Sequence, residues 1–357
     1  MSNKKNQHFV PQFYLRRFSK TMKSPYLELF NCSSQKHIPT ASIKNQASIK
    51  HFYDNDDSIE NLLGKIENEA AKSISKIDNS LSLPSSSIDR INLLAFTFYQ
   101  LTRTKSHADE VQSTINNMYQ QIYKDDPRFK GIFDEHKIGI DRPATFAIGI
   151  ISKIIHQTFD LKIKLIINKT NQNFITSDNP VLKYNQFLER RKHFGGITGI
   201  GLKGIQYFLP IDSKKCLLFY DSKTYNIGKW FSNRVIITKQ KEIDLINLLQ
   251  FLNCEDKIYF NDETEIEYIK RLNQESKKFQ KAGISIVKEY KQEEIPDVKN
   301  STLLHSFSTD LKIGLELSFI RENRKAKNYK MGNKFIHLRN KKLDENINNY
   351  NRTRLPV

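Results

Sequence analysis

The chain is short of cysteine and of long apolar runs, and each shortage closes off a class of protein. Cys32, Cys216 and Cys254 are too few and too scattered for a disulfide framework, and none belongs to a Cys-x-x-Cys pair of the kind that anchors structural zinc. A reducing, cytoplasmic setting is expected. No segment approaches the ~18 consecutive apolar residues that a membrane span needs, and the opening MSNKKNQHF carries charge with no apolar stretch behind it. A soluble protein with no membrane partner is therefore expected. A Ser-centred nucleophile elbow, a phosphate-loop Gly-Lys-Ser/Thr and a His-Glu-x-x-His are all missing. No internal repeat emerges either, which sets aside solenoids and propellers.

What is present is length and positive charge. At 357 residues the chain can bury a proper core as one large domain or two ordinary ones, without staples. Lys and Arg outnumber Asp and Glu by 57 to 39, a formal net charge of +18. Such an excess attracts nucleic acid or another polyanion through salt-dependent, sequence-blind contacts. The lysines travel with abundant Asn and Ile, a composition that AT-rich coding also produces, so the charge alone names no partner.

Hydrophobic spacing divides the chain. YLELFNCSSQKHI, residues 26–38, alternates around a turn-like centre and predicts a hairpin. From Ser58, the residues Ile59, Leu62, Leu63, Ile66, Ala70, Ile74 and Ile77 mark one helical face. Pro84 and three serines punctuate the pattern. A second helix then runs through Ile91, Leu94, Ala95, Phe98 and Leu101, so the two form a helical hairpin. AIGIISKIIHQTF continues as helix. Strand-like runs dominate afterwards: LKIKLIIN, NFITS, IQYFLPI, KCLLFYD, RVIIT and KIYF, with helical patterns at 241–252 and 264–279. The expected class is α+β: an N-terminal helical hairpin packed on a mostly antiparallel sheet from the second half. One domain over 6–288 is expected, followed by a basic, Asn-rich extension over 289–357, partly disordered, in which Leu311 to Ile320 offers one more strand.

Three constellations carry candidate chemistry. In NQHFVPQFYLRRF, Pro11 suits the first helical position, with His8 just ahead of the helix start. Gln12 and Arg16 then share one face while Leu15 and Phe18 enter a core. The polar face either meets an anion or ties down the N-terminal segment by hydrogen bonds. In FITSDNP, Ser177, Asp178 and Asn179 close a strand on a polar turn. Asp178 is there a general base, a ligand for a hard cation, or ordinary turn chemistry. Arg103, in FYQLTRTKSH, lies near the middle of the second helix and close to an apolar face. A buried arginine there demands a carboxylate or phosphate partner. Glu60 and Glu67 can supply that carboxylate, act with Asp178 at a hard-metal site, or simply lie on a solvated flank. GIGLKG at 199–204 matches a dinucleotide fingerprint literally, but strand rather than helix follows it. Asp178 with Glu189 and Lys192 is off by one from a nuclease Glu-x-Lys pair. Both are set aside.

Taken in order, these landmarks resemble domain-of-unknown-function family 4238, found mainly in bacteria and fungi. HFVPQFYLRRF is similar to its opening HxxVPxFYLRxF signature, and FITSDNP to its Ser-Asp-x-Pro signature. HFYD, IENLLGKIENEAAKSI and FYQLTRT fit the segments between, and FLPIDSKKCLLFYD its later strand pair, with Ile211, Asp212 and Ser213 departing from the usual wording. Asn253 falls where a further family asparagine is expected. The resemblance spans residues 6–262 and carries no activity with it. It implies a grouping: His8, Gln12, Tyr14 and Arg16, then Arg103, then Ser177, Asp178 and Asn179, as polar signature positions that meet in one pocket. The expected function is a hydrolase acting on a phosphorylated substrate, nucleic acid first, in bacterial defence against phage. His8 would be its general acid or base, and Asp178 would orient it or hold a divalent cation. Arg16 and Arg103 would neutralise phosphate charge, with Gln12, Tyr14, Ser177 and Asn179 contacting substrate. No residue is assigned as a metal ligand. The alternative is a non-catalytic binding module in which the same residues form a structural clasp.

Overall fold

Side-chain alternation at period two decides the centre of the molecule. The computed structural model describes residues 6–53, 57–129, 131–132, 138–193, 195–262, 265–290, 303–332 and 336–340. In chain order it begins with β1 (Asn6–His8), α1 (Gln12–Arg16), β2 (Tyr26–Asn31), β3 (Lys36–Ser42) and β4 (Ser48–Lys50). Four helices follow: α2 (Ser58–Ser80), α3 (Ser87–Thr102), α4 (Lys105–Tyr123) and α5 (Pro143–Ile154). Next come β5 (Lys162–Asn168), β6 (Thr176–Ser177), β7 (Leu182–Tyr184), α6 (Gln186–Arg190), β8 (Gln206–Pro210), β9 (Lys215–Tyr220), β10 (Tyr225–Ile227) and β11 (Arg234–Ile237). The last are α7 (Gln240–Asn253), β12 (Lys257–Phe260), α8 (Ile266–Ser276), β13 (Ser285–Tyr290), β14 (Leu303–Ser308), β15 (Ile320–Glu322) and α9 (Arg324–Lys327).

Five strands in the order β11-β5-β9-β8-β7 form the central sheet. Leu165, Ile167, Tyr207, Leu209, Leu217 and Phe219 point to one face and meet Tyr14, Leu15, Phe96, Phe98 and Ile148 from the helices. Ile166, Phe208, Cys216 and Leu218 point to the other and meet Ile243, Ile246 and Leu249 of α7 with Leu311, Leu315 and Leu317. Burial on both faces explains why these strands read as unbroken apolar runs. A second sheet, β3-β2-β12-β6, joins strands from both ends of the chain over a third core of Phe30, Ile175, Phe251, Ile258 and Ile269. Gly204 sits in the turn before β8 at φ +80°, where a Cβ would lie 2.5 Å from that of Phe187. Only glycine fits.

The expected arrangement is corrected on two points, the placement of the helices and the C-terminal extension. The N-terminus holds one short helix among strands, the long helices begin only at Ser58, and α6 to α9 fall among or after the later strands, so the helices are not gathered at the N-terminus. The β2–β3 hairpin stands where the alternation of residues 26–38 puts it, and β2 also pairs with β12 in antiparallel register, Phe30 opposite Ile258. The central sheet is mostly antiparallel, with one parallel pair, β11 with β5. Finally, residues 303–332 do not trail from the body. β14 pairs with β13 in antiparallel register, and β15 pairs with β10. Leu311, Leu315 and Leu317 enter the core without forming a strand there. Apolar burial at these three positions outweighs the charged text around them. The rest of the expected extension, residues 291–302, 333–335 and 341–357, lies outside the described residues.

Candidate functional site

The N-terminal segment is fixed by a three-residue pairing in which Gln7 lies opposite Ile49 and His8 opposite Ser48. Pro11 is the cap and not the first helical residue, and α1 is little more than one turn. That turn buries Tyr14 and Leu15 and leaves Arg16 exposed. Arg16 reaches only Gln12, Nη2 to Oε1 at 3.3 Å. Its neighbour Arg17 turns inward. Its guanidinium donates to both Asp78 oxygens at 2.9 and 2.8 Å, to Asp212 Oδ2 at 2.9 Å and to the Ile211 carbonyl at 2.6 Å. Lys215 completes this ion cluster against Asp78 and Asp212. Burial works against the charge on Arg17, but the two carboxylates more than offset it and raise its pKa.

His8 and Arg103 come together. Arg103 is not mid-helix: α3 ends at Thr102, and Thr104 caps α4 by accepting from the His107 N–H. Held at that junction, Arg103 is 1 % exposed. Its Nη1 donates to Glu67 Oε1 at 2.7 Å and its Nε to the Phe9 carbonyl at 3.2 Å, while Nη2 has no acceptor. The carboxylate demanded by a buried arginine is thus supplied by α2. Gln100 Nε2 shares the Phe9 carbonyl at 2.9 Å, and the Tyr53 hydroxyl reaches the carbonyls of both His8 and Arg103. His8 Nε2 lies 3.1 Å from the Lys44 carbonyl. Burial lowers the imidazole pKa and Arg103 adds to this, whereas the Lys44 carbonyl and Glu67 pull it upward.

The FITSDNP turn is a different assembly. Tyr14 donates to the Pro210 carbonyl at 2.6 Å and lies 2.8 Å from Thr176 Oγ1, which joins α1 to β6. Ser177 donates to Gln250 Oε1 at 2.8 Å, and Gln250 donates onward to the Pro180 carbonyl. Asp178 accepts three backbone N–H bonds, from Glu255 at 2.9 Å, Asp256 at 3.0 Å and Lys257 at 2.9 Å. Burial pushes its carboxyl up to about 6, and the three N–H donors pull the other way. Asn179 donates to the Asn253 carbonyl, and Asn253 returns bonds to the carbonyls of Asn179 and Val181. Asn247, Gln250 and Asn253 therefore form a row of amides along α7 that reads the turn.

The eight residues singled out from sequence thus fall into two groups and one surface pair. His8 and Arg103 share a cluster, Tyr14 with Ser177, Asp178 and Asn179 fasten the turn, and Gln12 pairs with Arg16 at the surface. The two groups touch where Thr104 Oγ1 donates to Asn179 Oδ1 at 3.2 Å. The hydrogen-bond partners of His8 and of Asp178 have no residue in common. Glu67 faces Arg103 and Asp178 faces backbone, so Glu60, Glu67 and Asp178 do not converge on a cation. Among the described residues, no group of three or more His, Cys, Asp or Glu is arranged to hold a metal ion. Sequence reasoning missed Arg17, Asp78, Lys215, Gln100, Tyr53 and the amide row of α7. Asn253 carried a signal as an expected family position, and Tyr53 and Gln100 lie within HFYD and FYQLTRT, segments that fit the family.

Among the described residues, no helix is long and apolar enough to cross a membrane. A family model described as "Protein of unknown function (DUF4238)" matches residues 6–264. No curated protein and no solved structure matches.

Proposed function

We propose, for a chain that belongs to the DUF4238 family, that the polar signature is a structural clasp and that the protein is a non-catalytic binding module for a polyanion, with nucleic acid as the ligand. The observation that carries the clasp is the state of Asp178. Both its oxygens are engaged by three backbone N–H groups at the entry to β12, so the residue expected to assist His8 is occupied in holding two chain segments together. Ser177 and Asn179 are likewise engaged by α7. The polyanion part rests on the net charge of +18, which supplies salt-dependent attraction without a dedicated pocket. A bacterial, cytoplasmic setting belongs to the same proposal and suits three free cysteines.

The hydrolase reading stands second, favoured by one observation. His8 is held toward the neutral form with Glu67 and Arg103 near enough to bias its titration, which is how a general base is prepared. One experiment separates the two. Purified protein is incubated with DNA, RNA and nucleotides in the presence of Mg²⁺ or Mn²⁺, and His8→Ala and Asp178→Ala variants are compared for both turnover and melting temperature. The clasp reading expects intact substrates and lower melting temperatures. Turnover that disappears in both variants while their melting temperatures hold would overturn it.

A further inference from the structure

A cavity of about 660 Å³ opens away from both polar groups, where the start of α3, the start of β5, the end of β9 and the loop before β11 meet. Its size is that of an ordinary ligand pocket. Its rim is unusual for a soluble surface: Trp230 is 92 % exposed, Phe231 68 % and Phe159 59 %. Large aromatics left in water at one site mark a contact surface. The loop that carries two of them is held in shape from below. The buried amine of Lys164 donates to the carbonyls of Lys229, at 2.9 Å, and Ser232, and the Ser232 N–H returns to Lys229 at 3.2 Å. Trp230 and Phe231 therefore stand at the tip of a pinned turn, nearly perpendicular, with ring centroids 5.8 Å apart.

The charge around this cavity has one sign. Arg90 and Lys162 line it, and among the described residues no carboxylate does. The acids adjoining the lining in sequence are engaged elsewhere. Asp160 faces Arg339 at 2.9 Å, Asp89 faces Lys76 at 2.8 Å, and Asp221 accepts from the Gly204 and Lys223 N–H groups at 2.9 Å each. Lys229 adds an amine 5.9 Å from the Phe231 ring.

We propose that this cavity is a binding site for single-stranded nucleic acid, with unpaired bases stacking on Trp230, Phe231 and Phe159 and with Arg90 and Lys162 meeting the phosphates. The inference rests on the polyanion-binding reading above and gives it a surface. Exposed ring faces beside cations are the stacking platform and electrostatic track that single strands use. A duplex keeps its base faces covered and offers phosphates and edges only.

Trp230 is the sole tryptophan of the chain, so its emission reports on this site alone. The full chain is titrated with an oligothymidylate of about 15 nucleotides and with a duplex of equal length, and binding of labelled strands is followed in parallel by anisotropy. The expected result is quenching by the single strand, an affinity that falls steeply with salt, and duplex binding weaker by at least about ten-fold without quenching. Phe231→Ala and Trp230→Ala, both at exposed positions, each weaken single-strand binding by about ten-fold, the value of one stacked base. Lys162→Glu weakens it and flattens the salt dependence. Equal affinity for duplex, or affinity untouched by the aromatic variants, would mean diffuse charge and overturn the proposal. So would a change of oligomeric state in the aromatic variants with strand binding intact, since the patch would then be a protein contact. The clasp is read separately, by melting temperature, so each reading fails on its own measurement.

Discussion

Replacing Asp178 separates a capping carboxyl from a catalytic one. Asp178→Ala leaves the N–H groups of Glu255, Asp256 and Lys257 without their acceptor. At about 1 kcal/mol for each lost bond, the cost is about 3 kcal/mol, and that lowers the melting temperature by roughly 4 °C for a chain of this length. Asp178→Asn is the sharper probe, because its one carbonyl oxygen retains two of the three bonds and turns an amide N–H toward the third donor. The pH dependence has a definite sign. The carboxyl is raised from its ordinary range to about 6, so its contribution to stability is complete below about pH 4 and is lost as pH rises through 6. A shift of about two units corresponds to about 3 kcal/mol. Asparagine does not titrate, so the advantage of the wild type over Asp178→Asn grows as pH falls from about 7.5 to about 4.5, by an amount on the order of 2–3 kcal/mol. Urea unfolding of both proteins across that range measures it. A gap that stays flat with pH, together with an unchanged melting temperature for Asp178→Ala, would refute the account.

Tyr14→Phe removes the donor to the Pro210 carbonyl and the partner of the Thr176 hydroxyl; the expected loss is about 1–3 kcal/mol, read by denaturant unfolding. Glu67→Gln leaves the Arg103 guanidinium buried without its anion. Discounted for the partial exposure of Glu67, this costs about 2–3 kcal/mol, and the His8 imidazole, followed by NMR, titrates at lower pH because an upward pull has gone. Glu110, buried between α4 and β14, is pushed up by burial but held down to about 2 by Lys183, His107 and Ser308. That depression stabilises above about pH 4.5 and is lost as pH falls through 2, so the wild type outlasts Glu110→Gln by about 3 kcal/mol at neutral pH and loses the advantage in acid unfolding followed by circular dichroism.

What was legible depended on how local the cause was. The stripe from Ile59 to Ile77 marks α2 because an amphipathic surface helix writes its burial into its spacing. Arg103 pointed to a carboxylate because a buried guanidinium has few other solutions, and Glu67 supplies one. Arg17 was hidden behind Arg16, since α1 is five residues long and face assignments by spacing have little to work on. Its partners Asp78 and Asp212 stand 61 and 195 positions away. The amides of α7 were hidden for the opposite reason. This helix is buried on nearly every side, so no spacing of polar against apolar positions sets Asn247, Gln250 and Asn253 apart as internal sockets. The helices α7 and α8 among the later strands were legible from spacing, whereas the pairing of β2 with β12 was not, because it is decided by long-range register and not by local propensity.

The distance between Asp178 and its donors also sets an order of events at the ribosome. The last donor, the Lys257 N–H, is made 79 residues after the carboxyl it serves. At the pace of synthesis this is a delay of roughly 4–16 seconds, during which the Asp178 carboxyl has only water to bond with. The two-residue strand β6 therefore becomes a strand only when the later segment arrives to complete it, and a chain halted before residue 257 exposes an unfinished sheet edge to whatever else is nearby.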